Sequence, residues 1–350
     1  MPMRIATYNI EWFNALFDGE NRLAADAAPS GRQGVTRRDQ AEALGIVFTA
    51  LDSDAVMVIE APDGSIGNGR STALALEGFA AAFDLRTRKA VTGFLNDTQQ
   101  EIALLYDPDT LSARHDPIGQ PAGKKGSDGA PRFDSAFRWD VDVDSAPEII
   151  RFSKPPLELA VRPRAGPAFR MIGVHLKSKA PHGAQTPEAL TRLAIQARRT
   201  QLAQCIWLRR RIERHLRAGE PLIVLGDLND GPGLDEYEKL FGRSAMEIVA
   251  GFDGDGDDER LTLHDPHARK AVLQPVGPRQ TTARFYIQHE NRYLNALLDY
   301  VMLSHDLCAH RPRWRIWHPF DDPVCYATPE LHAALLAASD HFPVTVDLDF

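Results

Sequence analysis

The residues with which this chain could do chemistry sit at the ends of its most apolar runs. The densest set is Gly226-Asp-Leu-Asn-Asp-Gly231, which closes the run Leu222 to Leu225. Asp227 and Asn229 are two apart, so an extended backbone presents them on one side. A carboxylate there can hold or deprotonate a water, and an amide can orient a phosphoryl or water oxygen. Asn9 and Glu11 repeat the spacing near the N-terminus. Glu60 ends the run Asp54-Ala-Val-Met-Val-Ile-Glu60, where a carboxylate is costly unless a metal or another cation pairs with it. His175, Lys177 and Lys179 alternate onto one face of Ala168 to Lys179 and together suit an anion, phosphate above all. Asp299 is embedded in Leu297 to Leu303, where an ionised carboxylate needs a partner. Asp340 and His341 directly precede the last apolar strand and, as neighbours, would point to opposite sides. Taken singly, each of these is also compatible with a polar turn or a solvated strand end. Strand endings that together supply carboxylates, amides and histidines exceed what turn chemistry explains and point to a hydrolytic site.

The elements that must position these residues are legible from periodicity. Arg4 to Phe13, Asp54 to Glu60, Glu101 to Tyr106 and Leu222 to Leu225 read as strands. Ile149 to Val161 and Ala168 to Lys179 read as a strand pair joined by a Pro/Gly turn. Thr36 and Asp39 form a capping box before a helix that buries Ala41, Leu44, Val47, Phe48 and Leu51. Ser71 to Phe83 reads as a short helix. Ser112 to Pro147 is polar and rich in Gly, Pro and Asp, which predicts an insertion of loops with one hairpin around Phe133 to Val143. Thr186 and Pro187 start the longest helix, with Leu190, Leu193, Ala194, Ala197, Cys205, Leu208, Ile212 and Leu216 as its buried stripe and Gly219 as its end. Its other face carries Arg192, Arg198, Arg199, Arg209, Arg210 and Arg211. That row reads as a solvated face, the alternative being a track for a nucleic-acid backbone. Phe252 to Glu259 alternates Asp and Gly but places Asp258 and His264 where a calcium-binding EF-hand loop needs Gly and Glu, so a solvated loop is expected. Arg311 to Trp317 alternates basic and aromatic residues and is expected to be a sheet edge, the alternative being a base-stacking surface.

At 350 residues the chain can bury the core of one large domain or two ordinary ones. No repeat or linker divides it, so a single domain over 1–350 is expected, with loop insertions around 112–148 and 251–292. No apolar run approaches the roughly 20 residues of a membrane helix. The N-terminus lacks a signal-peptide pattern. Three cysteines, Cys205, Cys308 and Cys325, fit neither a zinc site nor a disulfide framework, and a cytoplasmic location is expected. A net charge of −8 argues against gripping nucleic acid by bulk charge, but leaves room for a local basic groove or a metal at the phosphate.

The ordered set Tyr8-Asn9-Ile10, Glu60, His175, Gly226-Asp-Leu-Asn229, Leu298-Asp299-Tyr300 and Ser339-Asp-His341 resembles the endonuclease/exonuclease/phosphatase superfamily over nearly the whole chain. The resemblance implies a deoxyribonuclease I-like fold: a four-layer α/β sandwich of two packed, mainly antiparallel sheets flanked by helices. It implies a metal-dependent phosphoester hydrolase. Glu60 would be the principal Mg²⁺ ligand, with Asn9 beside it and Asp340 acting through water; Mn²⁺ is the alternative metal. Asp227 would position or deprotonate the attacking water, Asn229 would hold a phosphate oxygen, and His175 would contact the scissile phosphate. His341, oriented by Asp299, would stabilise the phosphoryl group or aid proton transfer. Ile59 departs from the Gln that family members often carry before the metal-binding Glu. Lys177 and Lys179, taken as substrate-binding, resemble the bacterial nuclease-like branch and favour nucleic acid as substrate. A small phosphoester or lipid head group is the alternative substrate, and a non-catalytic binding module on the same fold is the alternative class. No protein partner is expected.

Overall fold

A computed structural model of the protein describes residues 2–65, 69–139, 147–179, 186–232, 242–252, 258–274, 279–287 and 291–350. In chain order the strands are β1 (Met3–Asn9), β2 (Ala55–Ala61), β3 (Lys89–Thr92), β4 (Glu101–Tyr106), β5 (Leu111–His115), β6 (Phe137–Trp139), β7 (Glu148–Ile150), β8 (Leu157–Pro163), β9 (Phe169–His175), β10 (Leu222–Asp227), β11 (Ala283–Ile287), β12 (Arg292–Ala296), β13 (Asp299–Leu303), β14 (Arg313–Ile316) and β15 (Val344–Leu348). The main helices are α1 (Arg37–Leu51), α2 (Thr72–Ala82), α3 (Pro187–Arg217), α4 (Ala245–Ala250), α5 (Pro266–Leu273) and, before the last strand, α6 (Pro329–Ala338).

Two sheets carry the fold. One has the order β14-β15-β1-β2-β4-β3 and the other β13-β10-β9-β8-β5. The β1/β2 and β9/β10 ladders are parallel and the rest are antiparallel. Alternation divides each strand between two cores. Ile5, Met57 and Ile59 face Met171, Ile223 and Leu225 between the sheets. Ala6, Tyr8, Val56 and Val58 pack outward under Leu44, Val47, Phe79 and Leu335 of the flanking helices. Burial on both faces is why these strands read as continuous apolar runs. On the far side α3 lays Ala203, Leu208 and Ile212 against the second sheet. The result is helices, sheet, sheet and helices, the four-layer α/β sandwich.

Local signals hold at most boundaries. Thr36 and Asp39 make the expected reciprocal cap of α1, Ser71 caps α2, and Thr186 caps α3 ahead of Pro187. The differences have physical causes. β1 stops at Asn9, so Glu11 lies in a turn rather than on the strand. Pro155 and Pro156 break the expected strand 149–161 into β7 and β8, with Lys154 in the intervening loop. β9 ends at His175, leaving Lys177 and Lys179 in the following loop. The predicted insertion begins inside β5, and its hairpin pairs Phe137–Trp139 with Glu148–Ile150. The 251–292 stretch likewise contains α5 and β11 and ends where β12, the antiparallel partner of β11, begins.

The arginine face of α3 is the largest correction. Arg198 and Arg211 are each 1% exposed. Arg211 pairs with Glu158 and donates to the carbonyls of Ala130 and Pro131. Arg209 caps carbonyls at the end of α4, and Arg210 lies over Trp139. Arg311 to Trp317 contains the edge strand β14, whose Trp314 and Arg315 are engaged by Val301 and Asp322. Residues 253–257 of the acidic loop, residues 140–143 of the predicted hairpin, Gly233 and the side chain of Leu190 lie outside the described residues. Among the described residues no helix is long and apolar enough to cross a membrane.

Candidate active site

The second sheet places three predicted residues in a row. Asp227 is in register with His175 on one side and with Asp299 on the other, across β9, β10 and β13. Gly226 makes this possible. A Cβ there would lie 2.0 Å from the Val174 carbonyl oxygen, so only glycine lets β10 run this close to β9 just before Asp227. The first sheet brings Asn9 and Glu60 to the same end. The β2/β4 register shifts between Ile59 and Ala61, and Glu60 occupies the bulge with a left-handed φ of 60°. A bulge re-aims a side chain, and here it turns an apolar strand's last carboxylate into the cleft.

The two sheets are joined at this end by Asn9 Nδ2, which donates to Asp227 Oδ2 at 3.0 Å. His175 Nε2 lies 3.6 Å from Asp227 Oδ2 and 3.9 Å from Glu60 Oε1. His341 Nδ1 and Asp299 Oδ2 are 2.7 Å apart. Asn9, Glu60, His175, Lys177, Lys179, Asp227, Asn229, Asp340 and His341 all line one cleft of about 760 Å³. Asp340 and His341 therefore share a cavity although adjacent, because the chain there is a bend and a bridge rather than a regular strand. Asp299 stands behind His341 as its buried partner.

Two expected substrate contacts differ in setting. Lys177 is exposed at the mouth. The Lys179 ammonium is bound to Asp230, which is fully buried and also paired with Arg198. Asn229 holds φ 51°, donates its backbone N–H to Asp227 Oδ1 at 2.7 Å and its amide to the Leu176 carbonyl at 3.0 Å. It thus ties the His175 loop to the Asp227 loop.

Several cleft residues escaped the sequence reading. Lys154 Nζ is 3.5 Å from His175 Nε2, and the Pro155-Pro156 break was the signal that a loop, not a strand, carries it. Gln100 donates to Glu60 Oε2 at 2.6 Å. Phe285 packs edge-on against His341 with centroids 5.4 Å apart, and Leu294 joins it on the apolar wall formed by β11 and β12. Beneath the site, Gln201 of α3 donates to the carbonyls of Lys177, Leu228 and Asn229, while Gln204 accepts from Lys177 N–H and donates to the Arg151 carbonyl. One helix face therefore braces three site loops. Nothing in a lone sequence marks those glutamines, because their partners are main-chain atoms remote along the chain.

Charge in the cleft is unbalanced towards acid. Burial, above all, pushes the Glu60 carboxyl up to about 7 against the pull of Lys154 and His341. Burial and then the neighbouring Asp299 carboxylate push Asp227 up to about 7. Burial, Lys154 and His341 hold His175 well below the usual imidazole range, so its ring is neutral at pH 7. His341 goes the other way: burial opposes its charge, but Asp299, Asp227 and Asp340 prevail and keep it protonated. Buried Asn9 Oδ1 and Asp299 Oδ1 have no hydrogen-bond partner among the described residues. Ligand atoms of Asp227, Asp299 and His341 lie within 4.8 Å of one another. Orphaned oxygens and surplus carboxylates are a donor set that fits a hard divalent cation. The arrangement can hold such a cation, polarise a water at a carboxylate and present imidazolium to an anion.

A family model described as the Endonuclease/Exonuclease/phosphatase family matches residues 6–341. Among solved structures, an AP endonuclease from Archaeoglobus fulgidus superposes with a TM-score of 0.52 at 11% identity, covering 99% of this chain and 100% of that one. Truncated TDP2 from Caenorhabditis elegans gives a TM-score of 0.50 at 13% identity, covering 100% and 98%. No curated protein matches the chain by sequence. At these identities the structural likeness concerns the fold, and the family match concerns the chain itself: the protein belongs to the endonuclease/exonuclease/phosphatase family of metal-dependent phosphoester hydrolases.

Proposed function

We propose that the protein is a Mg²⁺-dependent phosphodiesterase whose substrate is nucleic acid, acting as one catalytic domain in the cytoplasm. The observation that carries the reading is the convergence of Asn9, Glu60, His175, Asp227 and the Asp299–His341 pair on one cleft, where Glu60, Asp227 and Asp299 share one imidazolium and Lys154. Glu60 and Asn9 would hold the metal, with Asp340 at its outer edge. When bound, that ion supplies positive charge at the phosphate and lowers the proton affinity of the buried acids. Mn²⁺ offers the same preference for oxygen donors.

The chain's own residues account for the rest. Asp227, fixed by the Asn9 amide and the Asn229 N–H, orients a water and takes its proton. His341, kept charged by Asp299, donates from Nε2 to a phosphoryl oxygen as negative charge builds there. Neutral His175 and the Asn229 amide group contact the phosphate, and Lys154 and Lys177 draw it in. The cleft has a cationic side and an apolar side, Phe285 with Leu294, which suits a substrate that alternates phosphates with flat apolar groups. That arrangement, and the AP endonuclease of the same fold, favour nucleic acid over a small phosphoester. The net charge of −8 is the observation on the side of a small phosphoester or lipid head group.

The test is nicking of supercoiled plasmid by purified protein with Mg²⁺, with Asp227→Asn and a chelator as controls. Cleavage that needs both the metal and Asp227 supports the reading. Folded protein that leaves plasmid and RNA intact but hydrolyses a phosphoinositide or small diester would move it to the second substrate class.

A further inference from the structure

We propose that Trp12 is a stacking surface for a nucleobase flanking the scissile phosphate, an inference that rests on the nucleic-acid reading above. Trp12 lines the active-site cleft beside Glu11, with Phe285 in the same lining, and is 53% exposed. Tryptophan is highly buried on average, whereas here more than half of the side chain is open at the cleft. Its backbone is left-handed, φ 59° and ψ 23°, a conformation that a non-glycine residue adopts only at an energetic cost. Such strain persists only where the surroundings impose it, and here they do.

The turn that carries Trp12 is clamped on every side. The indole Nε1 donates to Glu11 Oε1 at 2.9 Å, and the other Glu11 oxygen pairs with Arg32. Arg32 donates in turn to the Leu336 carbonyl at 3.1 Å. Gln40, fully buried in α1, donates to the carbonyls of Glu11 and Ala338. Ser339 accepts from Glu11 N–H and donates to the Asn9 carbonyl, one residue from Asp340 and two from His341. The ring also rests on Gly31, where a Cβ would lie 2.8 Å from the indole Cγ. Glycine at 31 therefore makes room for the indole. The molecule holds an exposed, strained aromatic in one orientation, tied to the same backbone that places Asn9, Asp340 and His341. A rigid π-face beside a phosphate-handling centre matches a nucleobase, because every base stacks regardless of its hydrogen-bonding edge. Stacking of this kind gives preference for the presence of a base with little preference for which one.

The test uses a 12-nucleotide single strand with one cleavable phosphodiester among methylphosphonates, and the same strand with the base on one or the other side replaced by tetrahydrofuran. Wild-type protein is expected to prefer the base-containing strand, on one of the two sides, by roughly 5- to 150-fold in kcat/KM, mainly through KM. Trp12→Ala should bring that ratio near one, and Trp12→Phe should retain most of it, with thermal melting showing both variants folded. An unchanged ratio in Trp12→Ala, or an equal loss on both strands, overturns the proposal while leaving the nuclease reading intact. Wild-type protein that cleaves neither strand nor plasmid overturns both.

Discussion

A carboxylate stands at each end of strand β2, buried Asp54 just before it and half-buried Glu60 near its close, and the two ends are treated differently. At its start, Asp54 accepts from Arg4 N–H and pairs with Arg86 at 2.8 Å. Asp107, at the end of β4 beside it, pairs with the same Arg86 at 3.0 Å and with Arg88. Every acid at this pole has a guanidinium, and the arginines are anchored again on Asp52 and Asp109. At the other pole Glu60, Asp227 and Asp299 share one imidazolium and a lysine, and among the described residues no arginine enters the cleft lining. The first pole is closed by ion pairs. The second leaves Asn9 Oδ1 and Asp299 Oδ1 without a hydrogen bond among the described residues and its carboxylates short of cations, at a cost that a bound cation and a phosphate can offset. The lesson is that a buried acid becomes informative through its partners rather than its burial.

That contrast can be broken first by removing charge at each pole. Asp227→Asn should lower kcat by at least about 10³-fold while leaving the melting temperature unchanged or raised, since an uncompensated carboxylate is removed. Asp107→Asn should do the reverse, leaving kcat unchanged and lowering the melting temperature. Steady-state kinetics and thermal melting of both proteins would decide, and a large stability loss in Asp227→Asn would contradict the picture of a strained, waiting site. A second test is metal. Glu60→Gln should weaken Mg²⁺ binding by at least about tenfold in calorimetry.

The pH dependence sharpens the same point. Burial raises Glu60 from 4.5 in the unfolded chain to about 7 in the metal-free fold. Between those values the fold keeps a proton that the unfolded chain gives up. This site's contribution to metal-free stability is therefore present below about 4.5 and is lost as pH rises towards 7. Mg²⁺ affinity should rise over the same interval as the competing proton leaves. The stabilisation of the fold by Mg²⁺, read as the difference in melting temperature with and without chelator, should be larger at pH 8 than at pH 5.5. An equal difference at both values would remove Glu60 from the metal site.

Smaller effects are expected from the supports of each pole. Gln201→Leu leaves three site-loop carbonyls without their donor and should cost about 1–2 kcal/mol of stability together with a several-fold loss of kcat. Arg86→Met, at a partly exposed pair, should cost about 1–2 kcal/mol with kcat unaffected. If Arg86→Met impaired catalysis as much as Gln201→Leu, the division into a structural and a catalytic pole would fail.

Much of the fold was legible because it is local. The apolar runs of β2 and β10, the caps at Thr36, Ser71 and Thr186, and the arrest of α3 at Gly219 are decided by residues within a turn or two of one another. The polar endings Asn9, Glu60, Asp227, Asp299 and His341 were legible for the same reason: a charged group at the end of an apolar strand stands out against its neighbours. Where the sequence misled, long-range partners were responsible. Arg198 and Arg211 read as a solvated face by helical spacing, yet Asp230 and Glu158, which neutralise them, come from other elements.

The sequence by itself determined the strands, their two-sided burial and the chemical types at their ends, because those follow from hydrophobic periodicity and the cost of placing charge beside an apolar run. Only the tertiary structure decided that Asn9 of one sheet bonds Asp227 of the other. It also decided that Lys154 faces His175, that Lys179 belongs to Asp230, and that α3 braces three loops at once. Each of those depends on two sheets packing face to face, and on a hydrogen bond or ion pair whose members are tens to hundreds of residues apart. Periodicity along the chain carries no record of such distances.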